Sequence, residues 1–274
     1  MINLKIIKII GLFILFSFTF FFTEQVINVT QEQDEIMIKI KDIAPKKNIP
    51  AKNAIIEGNT IIPGQTGSNI DTESSYKAMK KASYFDETML IYQKIYPEIS
   101  IYNNYNKYLI SGNTKNKDIA LIYILNNDKT IKNIKNIINK YHIPINFFID
   151  STFLNNNINI IEEIKNNEIY NYGSNGKYTK DNLIIANNII NNKSNNLANL
   201  CLFINPNTES LNNCTNNKMF SLLPKKSTPL DTLKNNLKNG DLILIENTQE
   251  LSSIIEYIQN KGYTITPLSK LITE

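Results

Sequence analysis

From Lys117 onward the chain alternates short apolar runs with amphipathic stretches, and this alternation limits the fold more than any other feature. The runs fall at 119–125, 144–149, 168–172, 199–204, 219–223, 241–245 and 263–266. Each is short, rich in Ile, Phe or Tyr, and bounded by Asn, Asp, Gly or Pro, which is the pattern of buried strands. Between them lie helical stripes. Ile131, Ile134, Ile137, Ile138 and Tyr141 form one; Ile160, Ile161 and Ile164 a second. Leu183, Ala186, Ile189 and Ile190 form a third, and Leu251, Ile254, Ile255 and Ile258 the last, ahead of Gly262 at a helix-ending position. Thr179, Thr228 and Thr248 stand where helix N-caps belong, with Pro229 at a first helical position. Strands that alternate with helices imply a mainly parallel sheet. Seven such units suggest a closed or nearly closed barrel, with a doubly wound open sheet as the competing layout. No glycine-rich phosphate or dinucleotide loop follows the first strand.

In such folds chemistry gathers at the C-terminal ends of the strands. In the stretch "KDIALIYILNNDKT" that end is Ile124-Leu125, two aliphatic residues, followed by the polar turn Asn126-Asn127-Asp128. Asp128 reads as a helix cap.

Composition removes several functions. The chain of 274 residues carries a net charge of +4, and every basic residue is Lys. Phosphate and base-edge recognition lean on the arginine fork, so nucleic acid is excluded as a partner. There are 44 asparagines, interleaved with Ile rather than massed in a tract, a coding bias rather than a prion-like segment. The single histidine, His142, ends a helical stripe and reads as a surface residue. One chain therefore cannot supply a two-imidazole metal site.

The first thirty residues set a location. Lys5 and Lys8 precede an apolar run from Ile9 to Phe22, and no small-x-small cleavage site follows. We expect residues 1–25 to be an uncleaved signal-anchor, single-pass, with the rest of the chain outside the cytoplasm. Residues 26–54 read as a linker and 55–112 as a small α+β accessory segment, with Asp71 capping a helix that carries Tyr76 and Met79. Residues 113–274 form the main domain. Cys201 and Cys214 are read either as a disulfide, which suits an extracytoplasmic site, or as two buried thiols.

Four stretches carry a resemblance: "DIALIYIL", "YHIPINFFI", "IIEEIKNNEIYNYGSNGKYT" and "NGDLILIENTQELSSIIEYIQNKGYTITPLSKL". In order and wording they resemble the polysaccharide deacetylase family, the NodB homology domain, over about Lys117 to Leu271. The resemblance implies an irregular (β/α) barrel and a hydrolase of acetylated glycans. In that family one Asp and two His hold a metal, a second Asp is the base, and a late His acts on the leaving group. The family's positions carry none of these residues here. The base Asp falls on Ile124, the metal Asp on Leu125, the His pair on Tyr172 and Gly176, and the late His on Glu246. The implied metal cofactor is therefore expected to be absent, with no catalytic residue in its family place.

Three functions remain in competition. The first is a non-catalytic, deacetylase-like protein at the cell surface that binds or organises wall glycan, through Asp150, Asn171, Tyr172 and Glu246 at the strand ends. The second is an active carbohydrate deacetylase or esterase with a shifted set such as Asp128, Asp150 and Glu246. The third is a surface adhesin or scaffold that uses the accessory segment.

Overall fold

The computed structural model describes residues 11–19 and 30–274. The described chain divides into two units, of which the smaller takes in described residues up to Pro50 together with Gly67–Ile95, and the larger Ala51–Thr66 with Tyr96–Glu274.

In the smaller unit the helix Glu35–Lys47 starts at Asp34, whose side chain accepts from the Ile36 N–H, and its Pro45 falls in the last turn. The helix Thr72–Ala82 is capped by Asp71, which accepts from the Ser74 N–H. Ile40, Ala44, Ile70, Met79 and Leu90 close a small core between these helices and an antiparallel strand pair. A stretch expected to be a linker thus folds. The apolar spacing of Met37, Ile40 and Ala44 buries one face, and the lysines of "APKK" sit at the helix C-terminus, where the dipole favours them.

The larger unit holds eleven strands in two sheets. In chain order they are β1 (Ile55–Glu57), β2 (Thr60–Ile62), β5 (Tyr108–Leu109), β6 (Asp118–Leu125), β7 (Asn146–Ile149), β8 (Ile169–Asn171), β9 (Leu200–Leu202), β10 (Phe220–Leu222), β11 (Lys226–Ser227), β12 (Leu242–Ile245) and β13 (Thr264–Ile265); β3 (Gly67–Ile70) and β4 (Tyr92–Ile95) belong to the smaller unit. One sheet runs β11-β12-β6-β7-β8 with β13 added beside β6, and the other runs β1-β2-β5-β10-β9. Only the β1–β2 pair is antiparallel in this unit. All seven expected strands are present, six trimmed by a residue or two at their ends and β6 extended back to Asp118.

The fold is α/β with parallel sheets, and its main-chain ladder runs in two pieces. The break lies between β8 and β9. There the buried Tyr178 hydroxyl accepts from the Leu202 N–H at 2.7 Å and lies 3.1 Å from the Asn171 carbonyl, spanning the seam. The expected accessory segment also splits: β1, β2 and β5 join the second sheet rather than folding apart. Their apolar residues, Ile61 and Leu109, bury in the same cluster as Leu200, Leu202 and Leu222.

The period of two along β6 sorts its side chains. Ile119, Leu121, Tyr123 and Leu125 pack with the helical stripes of Ile131, Ile134, Ile254 and Ile258. Ala120 and Ile122 lie on the opposite face with Phe148, Tyr170 and Leu244, and Ile124 packs against that cluster half-buried.

Several local expectations are corrected. Thr228 does not cap a helix; its hydroxyl accepts instead from the N–H groups of Glu246 and Asn247. Thr248 is displaced by Glu250 at the start of the helix Leu251–Asn260. Asp128 offers its main-chain carbonyl to Ile131 rather than a side-chain cap, and Thr130 at the N-cap turns its hydroxyl to Tyr123 at 2.5 Å. Thr179 does cap, in a reciprocal box with Asn182. Cys201 and Cys214 are joined as a disulfide. Of the expected anchor, residues 1–10 and 20–25 lie outside the described residues, and 11–19 are helical with exposed side chains. Among the described residues no helix is long and apolar enough to cross a membrane.

Candidate functional site

The C-terminal ends of β6, β7 and β8 lie side by side, with Leu125 paired to Ile149 and Ile149 to Asn171. The residues just past those ends define the rim, and they fall into two contrasting sets.

The first set occupies the positions expected to be vacated. Leu125 is fully buried and points into the helix-side core. Ile124 points the other way, so the two aliphatic residues do not form one plug. Tyr172 is buried, and its pKa is raised, first by burial and then by the charge of Asp150, which keeps the phenol protonated. Its ring covers Gly176: a Cβ built on that glycine would lie 3.0 Å from the Tyr172 hydroxyl oxygen. Gly176 also has φ +74°, where a side chain strains the backbone. An aliphatic side chain, a protonated buried phenol and a glycine supply no metal-binding donor set. The residues present do not fit the family's metal.

The second set is polar and open. A shallow, open cleft of about 470 Å³ lies just past the end of β6. Asn126 and Asn127 of the loop after β6 line it, with Asn156 and Asn157 at the end of the helix Ser151–Asn156 and Asn175 of the loop after β8. Asp150 and Thr152 also line it. Asp150 is only 5% exposed and sets this loop geometry. One carboxylate oxygen accepts from the N–H groups of Thr152 and Phe153, and the other from the N–H of Asn175 at 2.7 Å. One side chain thus caps a helix and pins the neighbouring loop.

Local hydrogen bonds leave part of each amide free. Asn156 and Asn157 spend an N–H on the carbonyls of Thr152 and Phe153, one turn back, which leaves their amide oxygens available. Asn126 accepts from the Asn127 amide, and Asn127 accepts from the Lys129 N–H. Asn175, held at φ +50° by the Asp150 bond, is exposed. A second cleft of about 380 Å³ continues along the same wall and shares Phe153, Asn156 and Asn157 with the first.

The expected site residues divide accordingly. Asp150 lines the cleft as a positioning group. Asn171 does not reach it: both its amide hydrogens go to Asn182 and Asn187, its oxygen accepts from Gly173, and it is fully buried. Tyr172 faces Gly176 rather than open space. Glu246 is exposed at the end of β12 and lines neither cleft. Asp128 lines only the second cleft, and among the described residues no three of His, Cys, Asp and Glu gather as a metal site, so the shifted set is not assembled. His142 is exposed in the left-handed region after a helix. Asn is so frequent in this chain that no single asparagine of the cleft stands out in the sequence.

No known family model matches the sequence. The chain is 25% identical over 161 residues to the uncharacterized protein YlxY of Bacillus subtilis (strain 168), a match over 56% of this chain. The chain spans about half the length of that curated relative. Among solved structures it resembles wild-type BA3943, a CE4 family pseudoenzyme from Bacillus anthracis, with TM-score 0.64 and 20% identity over 88% of this chain and 96% of that one. It also resembles the Bc1960 peptidoglycan N-acetylglucosamine deacetylase, with TM-score 0.52 and 18% identity over 60% of this chain and 92% of that one. The fold is that of the CE4 polysaccharide deacetylases and of a pseudoenzyme among them.

Proposed function

We propose that the chain is a non-catalytic, deacetylase-like protein that binds cell-wall glycan through the amide-lined cleft at the ends of β6, β7 and β8. The observation that carries this reading is the juxtaposition on one rim: metal and base positions filled by Leu125, Tyr172, Gly176 and Ile124, and an open polar cleft beside them. Primary amides offer a donor and an acceptor in one planar group, which matches the paired capacity of sugar hydroxyls. The likeness to a CE4 pseudoenzyme and to a peptidoglycan deacetylase supports the glycan class. On this reading the two sheets are the halves of one irregular barrel, and no metal cofactor is held.

The location belongs to the same proposal. A disulfide buried on both sides persists in an oxidising compartment, which supports a domain outside the cytoplasm. The apolar run of residues 9–22 would tether it to the membrane.

Co-sedimentation of the full chain with purified wall polymers tests the reading. Retention that falls at least several-fold in an Asn126→Ala, Asn175→Ala double variant is expected. Equal retention of the two proteins, or none of either, removes it.

A further inference from the structure

The chain contains two Asn-Gly pairs, Asn175-Gly176 and Asn239-Gly240. In such a pair the glycine has no Cβ to shield its main-chain nitrogen, which can then reach the asparagine side chain, and asparagine is among the residues least durable to heat and time. The fold treats the two pairs differently. The Gly240 N–H donates to the Asp118 carbonyl at 2.8 Å, Gly240 is buried, and the Asn239 amide donates to the Thr114 carbonyl at 3.2 Å. The nitrogen and the side chain of that pair are thus both held by another segment of the chain.

Asn175 and Gly176 form the tip of a two-residue turn. Ser174 and Lys177 exchange both main-chain bonds across it at 3.0 Å, and the two tip residues take φ +50° and +74°. The Asn175 N–H goes to Asp150 at 2.7 Å. Among the described residues the Gly176 N–H meets no acceptor, and the Asn175 side chain, exposed on the cleft, makes no hydrogen bond. The same dipeptide therefore has both reacting groups engaged at 239–240 and both free at 175–176.

We infer that Asn175 is a site of self-modification by deamidation. The Gly176 nitrogen attacks the side-chain carbonyl carbon of Asn175 and gives up its proton. The new C–N bond closes a succinimide ring, and the side-chain nitrogen leaves with a proton as ammonia. Water then adds to either ring carbonyl and breaks its bond to the ring nitrogen, which yields aspartate or isoaspartate. In sum, asparagine and water become an acidic residue and ammonia. The product alters the cleft. An amide that donates and accepts becomes an acceptor-only carboxylate beside that of Asp150, and the isoaspartyl form adds a methylene to the main chain of the tight turn. The cleft loses its Asn175 donor with age, at a rate set by the turn.

Peptide mapping by mass spectrometry follows both pairs in one sample. The full chain is kept at mildly alkaline pH and digested at intervals, beside a second sample in urea concentrated enough to unfold it. In the folded chain Asn175 is expected to deamidate about five-fold or more faster than Asn239, the rate equivalent of the one main-chain hydrogen bond that the Gly240 nitrogen must first give up. In urea the two rates are expected to converge. A smaller ratio in the folded chain, or the same ratio with and without urea, overturns the inference. No sugar enters the measurement, so its outcome is separate from that of the glycan reading.

Discussion

Leu125 and Asn126 are neighbours in sequence and opposites in environment. Leu125 is buried among the helices that cover the sheet, and Asn126 opens onto a polar cleft. The same contrast repeats at the end of β8, where Tyr172 closes over Gly176 and Asn175, one residue before that glycine, lines the cleft. Burial fills the inner positions, and polar amides sit one residue further out, where they line the open cleft. Apolar burial stabilises by about 25 cal/mol per Å², whereas an unpaired buried carboxylate costs several kcal/mol. Each set is thus stable where it is and not where the other lies.

The contrast breaks most severely if a carboxylate is placed at the inner position. Leu125→Asp is expected to lose about 3–5 kcal/mol of stability, as for a buried charge without a partner, read from the urea midpoint. Ile124→Asp, half-buried on the other face, should lose well under half of that. Removing the disulfide with Cys201→Ala and Cys214→Ala should cost about 3 kcal/mol by loop entropy, given a separation of 13 residues, with the amide-lined cleft unaffected. Tyr178→Phe leaves the Leu202 N–H unpaired at the seam and should cost about 1–3 kcal/mol in thermal unfolding.

A smaller effect appears with pH. Burial raises the pKa of Tyr170, Tyr172 and Tyr178. A phenol whose folded pKa lies above its unfolded value favours folding while protonated. That contribution is complete below the ordinary range, about 10, and is lost as pH rises through the raised values. Stability should therefore fall steeply above about pH 10, and ultraviolet difference spectra should show three of the tyrosines ionising only as the chain unfolds. Smallest in stability is Asn156→Leu on the open wall: within about 0.5 kcal/mol of wild type, with sugar binding reduced.

The sequence makes the fold legible where period and burial coincide. Seven apolar runs became β6, β7, β8, β9, β10, β12 and β13 because fully buried parallel strands need continuous apolar residues. The helix Thr208–Asn216 was not legible, since Leu211 and Cys214 are its only buried apolar residues and asparagine is a poor helix former. Nor was the joining of β1, β2 and β5 to the sheet through the β5–β10 pair, a long-range contact without a local signal. At the site, two aliphatic residues at the end of β6, Ile124 and Leu125, and a glycine at 176 could be read directly from the sequence. The split of Ile124 and Leu125 onto opposite faces was implicit in the strand period. The cleft itself was not legible, because its five asparagines come from three separate segments.

The central claim is that this rim holds glycan without cutting it. N-acetylated chito-oligosaccharide can be passed over the immobilised full chain with excess zinc present, and the retained material eluted and weighed by mass spectrometry. The account predicts retained sugar of unchanged mass. Recovery of chains lighter by acetyl groups, or no retained sugar at all, would contradict it.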